Sequence, residues 1–357
     1  MGLCTPLRAG RGRVVSGLLP IMNLEPIDPE MALDLYLAEK ESEYAASTIE
    51  AHRSRLNFFV RWCAEHGIDN LNDLTGRQLH EFRLWRREVG NLSPATEKTQ
   101  LDTLRVFVRW LGIIDGCDPD LHVKVRSPGL TPAQNTRDVM LDAKRAEPAL
   151  AYLERFYYAS RKHVVLALLW HTMLRMGSAR AIDLRDYHPD EGYVEIRHRP
   201  ETGTPLKNQA TGERLVALSD DLCQLLDDWI AERRPNTVDE HGRHPLLATT
   251  QGRLSASGLR HIVYGFTRPC QVGQECPHDR NPDDCEAVSR DQAAKCPSSV
   301  SPHAIRRGAI TNHLKSDVPE NVVGDRANVS KDVLDQHYDQ RTERERMEQR
   351  RRYLDEI

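Results

Sequence analysis

Apolar and polar residues alternate along this chain with the period of an α-helix, and interruptions of that period mark where helices begin and end. Between residues 29 and 115 the pattern predicts four helices. Ser47 is the expected N-cap of the second helix and Gly67 its end, and the fourth helix is expected to start after Ser93. The sequence therefore predicts an N-terminal domain of four helices.

A second domain is predicted after a segment that has no helical periodicity. Residues 116–139 are rich in Pro, Asp and Gly, which is typical of a linker, and the second domain is expected to cover 140–357. The stretch YVEIRHRPETGTPLKNQATGERLVALS alternates apolar and polar residues around a turn, which predicts a β-hairpin or small sheet. The remaining predicted elements are helices at 142–158, 162–174, 178–184, 220–233, 255–266, 303–314, 319–324, 330–338 and 341–354. The fold class is mostly α with one small sheet.

Length and composition limit the class of protein. With 357 residues, 39% of them hydrophobic and 29% charged, the chain has the composition of a soluble two-domain protein. The longest apolar stretch, VVLALLWHTML at 164–174, is too short to span a bilayer and contains His171, so no membrane partner is expected. The formal net charge is −4, so binding to nucleic acid would require local basic faces.

The N-terminus lacks the long apolar core of a secretory signal. Residues 1–28 are expected to be a disordered tail, with Met22 as the true start of the protein. Without an export signal we expect a cytoplasmic, nucleoid-associated protein, in which the eight cysteines are thiols or metal ligands rather than disulfides.

Several residues carry candidate chemistry, although each has a structural alternative. His303 lies three positions before Arg306 at the predicted start of a helix, so both point to the same side. Arg175 follows a buried helix and needs either an anion or a salt bridge, for which Asp183 and Asp186 are the nearest partners. Lys207 in the hairpin is, taken alone, an ordinary exposed lysine, and Tyr338, taken alone, is a half-buried packing residue.

Taken in order, these residues resemble the tyrosine recombinase (phage integrase) family over nearly the whole chain from residue 29. TMLRMGSARAIDLRD is similar to its first-arginine motif, SPHAIRRGAITNHL to its His-x-x-Arg helix, and NVSKDVLDQHYD to its tyrosine segment. STIEAHRSRLNFFVRW is similar to part of its core-binding (SAM-like) domain, and the C-terminal segment resembles archaeal integrases. The resemblance implies a four-helix core-binding domain followed by a catalytic domain.

The resemblance also implies roles for these residues in a site-specific DNA recombinase. Tyr338 would attack a phosphodiester to form a 3′-phosphotyrosine, and Arg175 and Arg306 would bind the non-bridging oxygens with fixed bidentate charges. His303 is the candidate base or hydrogen-bond donor, and Lys207 would protonate the leaving 5′ oxygen. The covalent intermediate retains the bond energy, so no cofactor or catalytic metal is expected.

Two positions depart from the family pattern. Members usually carry His or Trp between the His-x-x-Arg helix and the tyrosine, whereas this chain has Asp325 followed by Arg326. We assign that role to Arg326, with His337 as the alternative donor. The acidic residue that usually follows the first arginine by three positions is Ser178.

The predicted catalytic domain contains a Cys-rich insertion at 268–300. It has little apolar content and five potential metal ligands, so a structural zinc is expected to order it, with free surface thiols as the alternative. The preferred ligands are Cys276, His278, Cys285 and Cys296, with Cys270 as a spare.

The expected partner is double-stranded DNA, held between the two domains by a homo-tetramer. Arg77, Arg83, Arg86 and Arg87 offer a basic face for this, although a solvated face explains them equally well. The charged segment 341–357 is expected to dock on a neighbouring subunit. One alternative function is a catalytically inactive, zinc-stapled DNA-binding regulator. A metal-dependent nuclease is less favoured, since the sequence has no carboxylate cluster at metal-ligand spacing.

Overall fold

The computed structural model describes residues 24–131, 139–339 and 341–351, together with Met1, Gln134 and Leu354. The chain is mostly helical with small sheets, as predicted. It divides into two compact units, Met1–Arg137 and Asp138–Ile357.

The first unit is built on four α-helices, α1 (Pro29–Lys40), α2 (Ala46–Glu65), α3 (Gly76–Gly90) and α4 (Pro94–Ile113). The Ser93 hydroxyl accepts from the backbone N–H of Thr96, which is the cap that the sequence predicted for α4. The predicted Ser47 cap is wrong. Helix α2 begins at Ala46 after Ala45, which makes no side-chain cap bond, so Ser47 already lies within the helix.

An aromatic core joins these helices, and described residues before α1 and after α4 pack onto them. The core is centred on Phe59, Trp62 and Phe107, each 1% exposed. The Glu25 N–H donates to the carbonyl of Asp115, so the described part of the expected tail, 24–28, is anchored to the unit, and 2–23 lie outside the described residues. Three residues of the expected linker, Cys117, Leu121 and Val125, are buried in the same core. The linker was predicted because this segment has no helical periodicity, and the spacing of these three residues was not recognised as that of core positions.

The second unit consists of helices and two small antiparallel sheets. Strands β1 (Tyr187–His188), β2 (Tyr193–Ile196) and β3 (Arg214–Ala217) form the first sheet in that order, and β4 (Ala248–Thr249) pairs with β5 (Gly252–Arg253). The register of the predicted hairpin pairs Ile196 with Arg214. The helices are α5 (Ala143–Tyr157), α6 (Arg161–Thr172), α7 (Met176–Ala181), α8 (Asp220–Asp228), α9 (Ala256–Phe266), α10 (Pro302–Lys315), α11 (Glu320–Ala327), α12 (Lys331–His337) and α13 (Glu343–Arg351).

Helix α6 is the centre of the second unit. Every residue from His163 to Trp170 is buried, and each large aliphatic side chain there contributes roughly 1.5–3 kcal/mol by its burial. No helix among the described residues is long and apolar enough to cross a membrane.

Helix α10 packs closely against the chain that enters the second unit. A Cβ atom at Gly308 would lie 1.7 Å from the carbonyl oxygen of Leu141, so only glycine permits this approach. The Leu141 N–H donates to the carbonyl of Ala304 at 3.1 Å. These contacts fix the helix that carries His303 and Arg306.

Candidate active site

The helix with the His-x-x-Arg pair begins where the sequence predicted. The Ser301 hydroxyl accepts from the N–H of Ala304, and Pro302 occupies the first turn. His303 and Arg306 therefore lie one turn apart on one face of α10. His303 keeps an exposed edge, whereas Arg306 is 1% exposed.

Arg306 is a buried cation that donates to two backbone carbonyls. Its Nη1 donates to Met173 at 2.5 Å and its Nη2 to Ala327 at 2.7 Å. Burial is the main cause that lowers its pKa to about 10, and the charge of Arg175 lowers it further, while Tyr338 opposes the change. No carboxylate of the described residues pairs with it, so the guanidinium carries a charge that an anion would stabilise.

Tyr338 packs against both residues of the His-x-x-Arg pair. Its ring centroid lies 5.7 Å from that of His303, at an interplanar angle of 60°, and 5.4 Å from the Cζ of Arg306. The Tyr338 carbonyl accepts from the Thr311 hydroxyl at 2.7 Å, which ties the end of α12 to α10. Tyr338 is 5% exposed, so neighbouring residues cover most of its side chain.

Arg175 lies at the start of α7 and contacts Asn328, a residue that the sequence analysis did not select. Arg175 Nη2 donates to the Asn328 carbonyl at 3.2 Å and Nη1 to its Oδ1 at 3.4 Å. Asn328 ends α11 with φ of 52°, a left-handed conformation that asparagine adopts more readily than most residues. That preference is the signal by which the sequence could have marked Asn328 as a helix end.

Asn328 also contacts the turn between β2 and β3. Its Oδ1 accepts from Asn208 Nδ2 at 2.5 Å, and its own Nδ2 donates to the carbonyl of Thr211 at 2.9 Å. The amide therefore holds Arg175 and the hairpin turn together. Lys207, adjacent to Asn208, is exposed on this turn.

Arg214, at the start of β3, forms a cluster of positive charge with Arg175 and Arg306. The sequence analysis did not select this residue either. Its Nε donates to the Arg326 carbonyl at 2.9 Å and its Nη1 to the Gly212 carbonyl at 2.8 Å. Its Nη2 is buried and has no hydrogen-bond partner among the described residues. Burial, followed by the charges of Arg306 and Arg175, lowers the pKa of Arg214 to about 10. An arginine at the start of a short strand gave no sequence signal beyond its closeness to Lys207.

The cluster acts on His303. Burial of part of the ring, followed by the charges of Arg306, Arg307, Lys207 and Arg175, lowers the pKa of His303 to about 4. The imidazole is therefore neutral at neutral pH and has a lone pair available to accept a proton. A bound anion would raise this pKa, because it would offset the surrounding positive charge.

Arg326 contacts the cluster through Arg214: its carbonyl accepts from Arg214, and its charge lowers the pKa of that arginine. The Arg326 guanidinium donates to the carbonyl of His171 at 3.1 Å. Neither Arg326 nor His337 is among the described residues whose charges alter the pKa of His303. Asn328, where α11 ends, holds the position beside Arg175. The role that the sequence suggested for Arg326 stays a prediction.

The salt bridge considered for Arg175 is not formed. Asp183 pairs with Arg185, Arg199, Arg243 and Arg253, and Asp186 pairs with Arg199. Asp239 joins the same network through Arg253 at 2.7 Å and Arg243 at 3.2 Å. Burial alone would raise the pKa of Asp239, but hydrogen bonds from Arg253 and two backbone N–H groups lower it to about 2.

The basic face expected on α3 is mostly occupied by contacts within the first unit. Arg83 and Arg87 both pair with Glu97, at 2.7 and 3.1 Å. Arg86 is 7% exposed and its Cζ lies 3.7 Å from the ring centroid of Phe58. Of the four, Arg77 is the one that stays exposed with no hydrogen bond or ion pair to the described residues. This helix is therefore a weak candidate for a phosphate-binding face.

The described part of the C-terminal segment contacts its own unit. The sequence analysis expected this segment to dock on a neighbouring subunit. Gln349 of α13 donates to the Leu314 carbonyl at 2.6 Å, and Lys315 pairs with Glu345 at 2.9 Å. The structure also gathers three carboxylates that sequence spacing did not reveal, those of Glu320, Asp335 and Asp339. Arg341 pairs with Glu320 and Asp339, each at 2.7 Å. This cluster is therefore already neutralised in part by arginine.

The chain is similar to known proteins in sequence and in fold. The family model described as the phage integrase N-terminal SAM-like domain matches residues 33–112. Tyrosine recombinase XerC of Pseudomonas savastanoi pv. phaseolicola is 24% identical over 245 residues, which cover 65% of this chain and 77% of that protein.

Two solved structures have a similar fold over most of the chain. The integrase of the Tn1549 transposon in complex with a circular intermediate DNA has a TM-score of 0.61 and 14% identity, and the match covers 90% of this chain and 99% of that one. A lambda integrase tetramer bound to a Holliday junction has a TM-score of 0.57 and 13% identity, with 86% of this chain and 78% of that one covered.

Proposed function

This chain belongs to the tyrosine recombinase (phage integrase) family, and we propose that it cuts and rejoins double-stranded DNA at specific sites through a 3′-phosphotyrosine on Tyr338. The observation that carries the proposal is the packing of Tyr338 against His303 and Arg306, inside a group of cations whose described partners are carbonyls and amides rather than carboxylates. Such a group favours an anion, and a phosphodiester beside a tyrosine hydroxyl is a reactive one.

The proposed first step transfers a phosphoryl group from DNA to the enzyme. The Tyr338 Oη forms a bond to phosphorus while the bond from phosphorus to the 5′ oxygen breaks. The phenolic proton passes to neutral His303, directly or through water, and the departing 5′ oxygen takes a proton from Lys207 on the hairpin turn. The reverse step, with a 5′ hydroxyl of a second DNA strand as nucleophile, rejoins the strands and restores both groups.

Arg175 and Arg306 stabilise the charge on the non-bridging oxygens in this proposal. Each guanidinium has N–H groups that are not used in its carbonyl or amide bonds, and arginine remains charged even with the lowered pKa of Arg306. Arg214 supplies the unpartnered Nη2 as a further donor, and Asn328 orients Arg175. A preorganised donor of this kind contributes roughly 2.7–4 kcal/mol to transition-state stabilisation.

We further propose that the protein acts as a homo-tetramer on double-stranded DNA. Joining two DNA sites requires two cuts in each site, and each chain supplies one nucleophile, Tyr338. Four chains are therefore needed. The related lambda integrase is a tetramer on a Holliday junction, which supports the same assembly here. No metal or other cofactor takes part in the proposed chemistry, and any zinc in the chain has a structural role.

The test is to trap the covalent intermediate. Purified protein is incubated with sheared genomic DNA of the source organism, denatured, and assayed for DNA that remains attached to protein. The wild type should yield adducts, whereas Tyr338→Phe should yield none while binding DNA within about twofold of wild type in the native state, because the variant lacks only a hydroxyl.

A matched variant and the alternative function complete the design. Tyr264→Phe removes a hydroxyl from a half-buried tyrosine of the same unit and should leave adduct formation unchanged. The regulator alternative predicts DNA binding without any adduct from the wild type. An adduct formed by Tyr338→Phe would show that another residue is the nucleophile.

A further inference from the structure

The segment that joins α9 to α10 has no core of its own. Residues 267–301, all of them described, contain 3₁₀ turns but no α-helix or strand. Between Gly273 and Pro297 the buried residues are Ala287, Ala293 and Cys296. Two alanines and one cysteine bury too little apolar surface to order a segment of this length.

Residues with metal-ligand chemistry line the inside of this segment instead. Cys270, Cys276, His278, Cys285 and Cys296 all line one small cavity, and each of them is buried or half-buried while most of their neighbours are exposed. The four cysteines are free thiols. Four thiols and one imidazole around a common cavity are the donor types that Zn²⁺ prefers.

The orientation of His278 adds a second observation. Its Nε2 lies 2.8 Å from the Ser298 hydroxyl oxygen. If Nε2 carries the proton and donates it to Ser298, the lone pair is on Nδ1. A zinc-bound histidine typically donates its second ring N–H to such a neighbour, which fixes the tautomer and the ring orientation.

We propose that this segment binds one structural Zn²⁺ through Cys276, His278 Nδ1, Cys285 and Cys296, with Cys270 beside the metal and not bound to it. A tetrahedral site with bonds of about 2.3 Å to sulfur and about 2.0–2.1 Å to nitrogen closes the cavity. Rotation about the Cα–Cβ bonds must bring the sulfurs together. The ligand atoms of the proposed zinc site are not yet within 4.8 Å of one another. Among the described residues, the one group of three or more that meets this distance is Glu320, Asp335 and Asp339.

The metal would act on the start of α10. The N–H of Val300 donates to the Thr267 hydroxyl at 3.0 Å, and Arg145 donates to the carbonyls of Thr267 and Ser298. These contacts connect both ends of the segment to each other just before Ser301 caps α10. A zinc-bound segment therefore supports the helix that carries His303. The inference is independent of the proposed recombination, because it concerns folding of the segment.

The experiment measures metal content and ligand type in the full-length protein. Elemental analysis of protein purified without chelator should find close to one zinc per chain. Replacement by Co²⁺ should produce the intense near-ultraviolet absorption of thiolate-to-cobalt charge transfer with the visible bands of a tetrahedral site. Cys285→Ser and Cys296→Ser should each lower bound zinc at least tenfold, and chelation should lower the thermal midpoint of unfolding.

Three control variants assign the ligands. Cys270→Ser and Cys223→Ser, the second outside the segment, should retain one zinc per chain. Asp335→Asn tests the carboxylate cluster and should also leave zinc unchanged. Wild-type protein that contains no zinc and shows no thiolate–cobalt absorption on Co²⁺ titration would overturn the proposal, even if the cysteine variants fail to fold. Loss of metal in Asp335→Asn but not in Cys285→Ser would place the ion at the carboxylates instead.

Discussion

The second unit contains two groups of buried or half-buried arginines that differ in what they bind. Arg199, Arg243 and Arg253 pair with Asp183, Asp186 and Asp239, which hold β-strand residues and loops together. Arg175, Arg214 and Arg306 have carbonyls and one amide as their described partners.

The two groups illustrate different uses of the same side chain. In the first group each charge is matched within the protein, so removal of a partner leaves a buried charge uncompensated. In the second group burial and mutual repulsion lower the pKa of Arg306 and Arg214, so the protein maintains positive charge that an external phosphate can relieve. We expect the first group to contribute to stability, and we propose that the second binds a phosphate.

The largest predicted effect is on the paired group. Asp183→Asn should lower the free energy of unfolding by about 3–5 kcal/mol, because it removes a carboxylate that is 2% exposed from four arginines, three of them buried or half-buried. Denaturant unfolding measures this effect, and Asp190→Asn in an exposed turn serves as the control. Adduct formation per folded molecule should be unchanged. A loss below about 1 kcal/mol would contradict the structural role of the network.

The next largest effect is on chemistry in the second group. Arg175→Lys and Arg306→Lys keep a positive charge but lose the planar fork, and each should slow adduct formation about 10²-fold or more. The double variant should lose less than the product of the two, because the residues act on one phosphate. Arg199→Lys is the matched control and should affect stability rather than rate. Near-normal rates in either single variant would remove that arginine from the clamp.

A smaller effect is expected at Arg214, the arginine found only in the structure. Arg214→Gln removes one donor to a charged group, so the rate of adduct formation should fall roughly tenfold. Arg234→Gln is the control, since Arg234 also donates to backbone carbonyls but lies outside the cluster. Equal rates for the two variants would mean that Arg214 has a packing role only.

The smallest effect is a shift in the titration of His303. NMR of the imidazole should give a midpoint near pH 4 in the free protein, against an ordinary value of 6.5, and a higher midpoint when DNA phosphate is bound. Because the folded pKa lies below the unfolded one, the unfolded chain takes up the proton first. Stability therefore falls as pH drops from 6.5 towards 4, and His303→Gln should remove that part of the loss. A midpoint at pH 6.5 in the free protein would contradict the claim that burial and the neighbouring positive charges lower the pKa of His303.

Local patterns were sufficient to predict the elements that carry the site. Ser301 and Pro302 marked the start of α10, and helical spacing put His303 and Arg306 on one face. The order of motifs then led to Arg175, Lys207 and Tyr338. These features depend on residues a few positions apart, which is the range over which sequence patterns are informative.

Contacts between distant residues could not be predicted in the same way. Asp183 meets Arg253 across 70 residues, and Asn328 meets Arg175 across 153. For that reason the sequence favoured Asp183 as a partner of Arg175 and missed Asn328 and Arg214. The assignment of Arg326 relied on proximity in sequence to the usual His or Trp position, while the direction of its side chain depends on how α11 packs, so it stays a prediction.

We propose that Tyr338 attacks a phosphate bound by Arg175, Arg214 and Arg306, three arginines that pair with no carboxylate of the described residues. The most direct test is mass spectrometry of the trapped adduct after nuclease digestion and proteolysis. We predict that the peptide containing Tyr338 carries a nucleotide through its 3′ phosphate, and that wild-type protein yields no other nucleotide-bearing peptide. A nucleotide on a different residue, or DNA strands cut with no covalent adduct, would contradict the account.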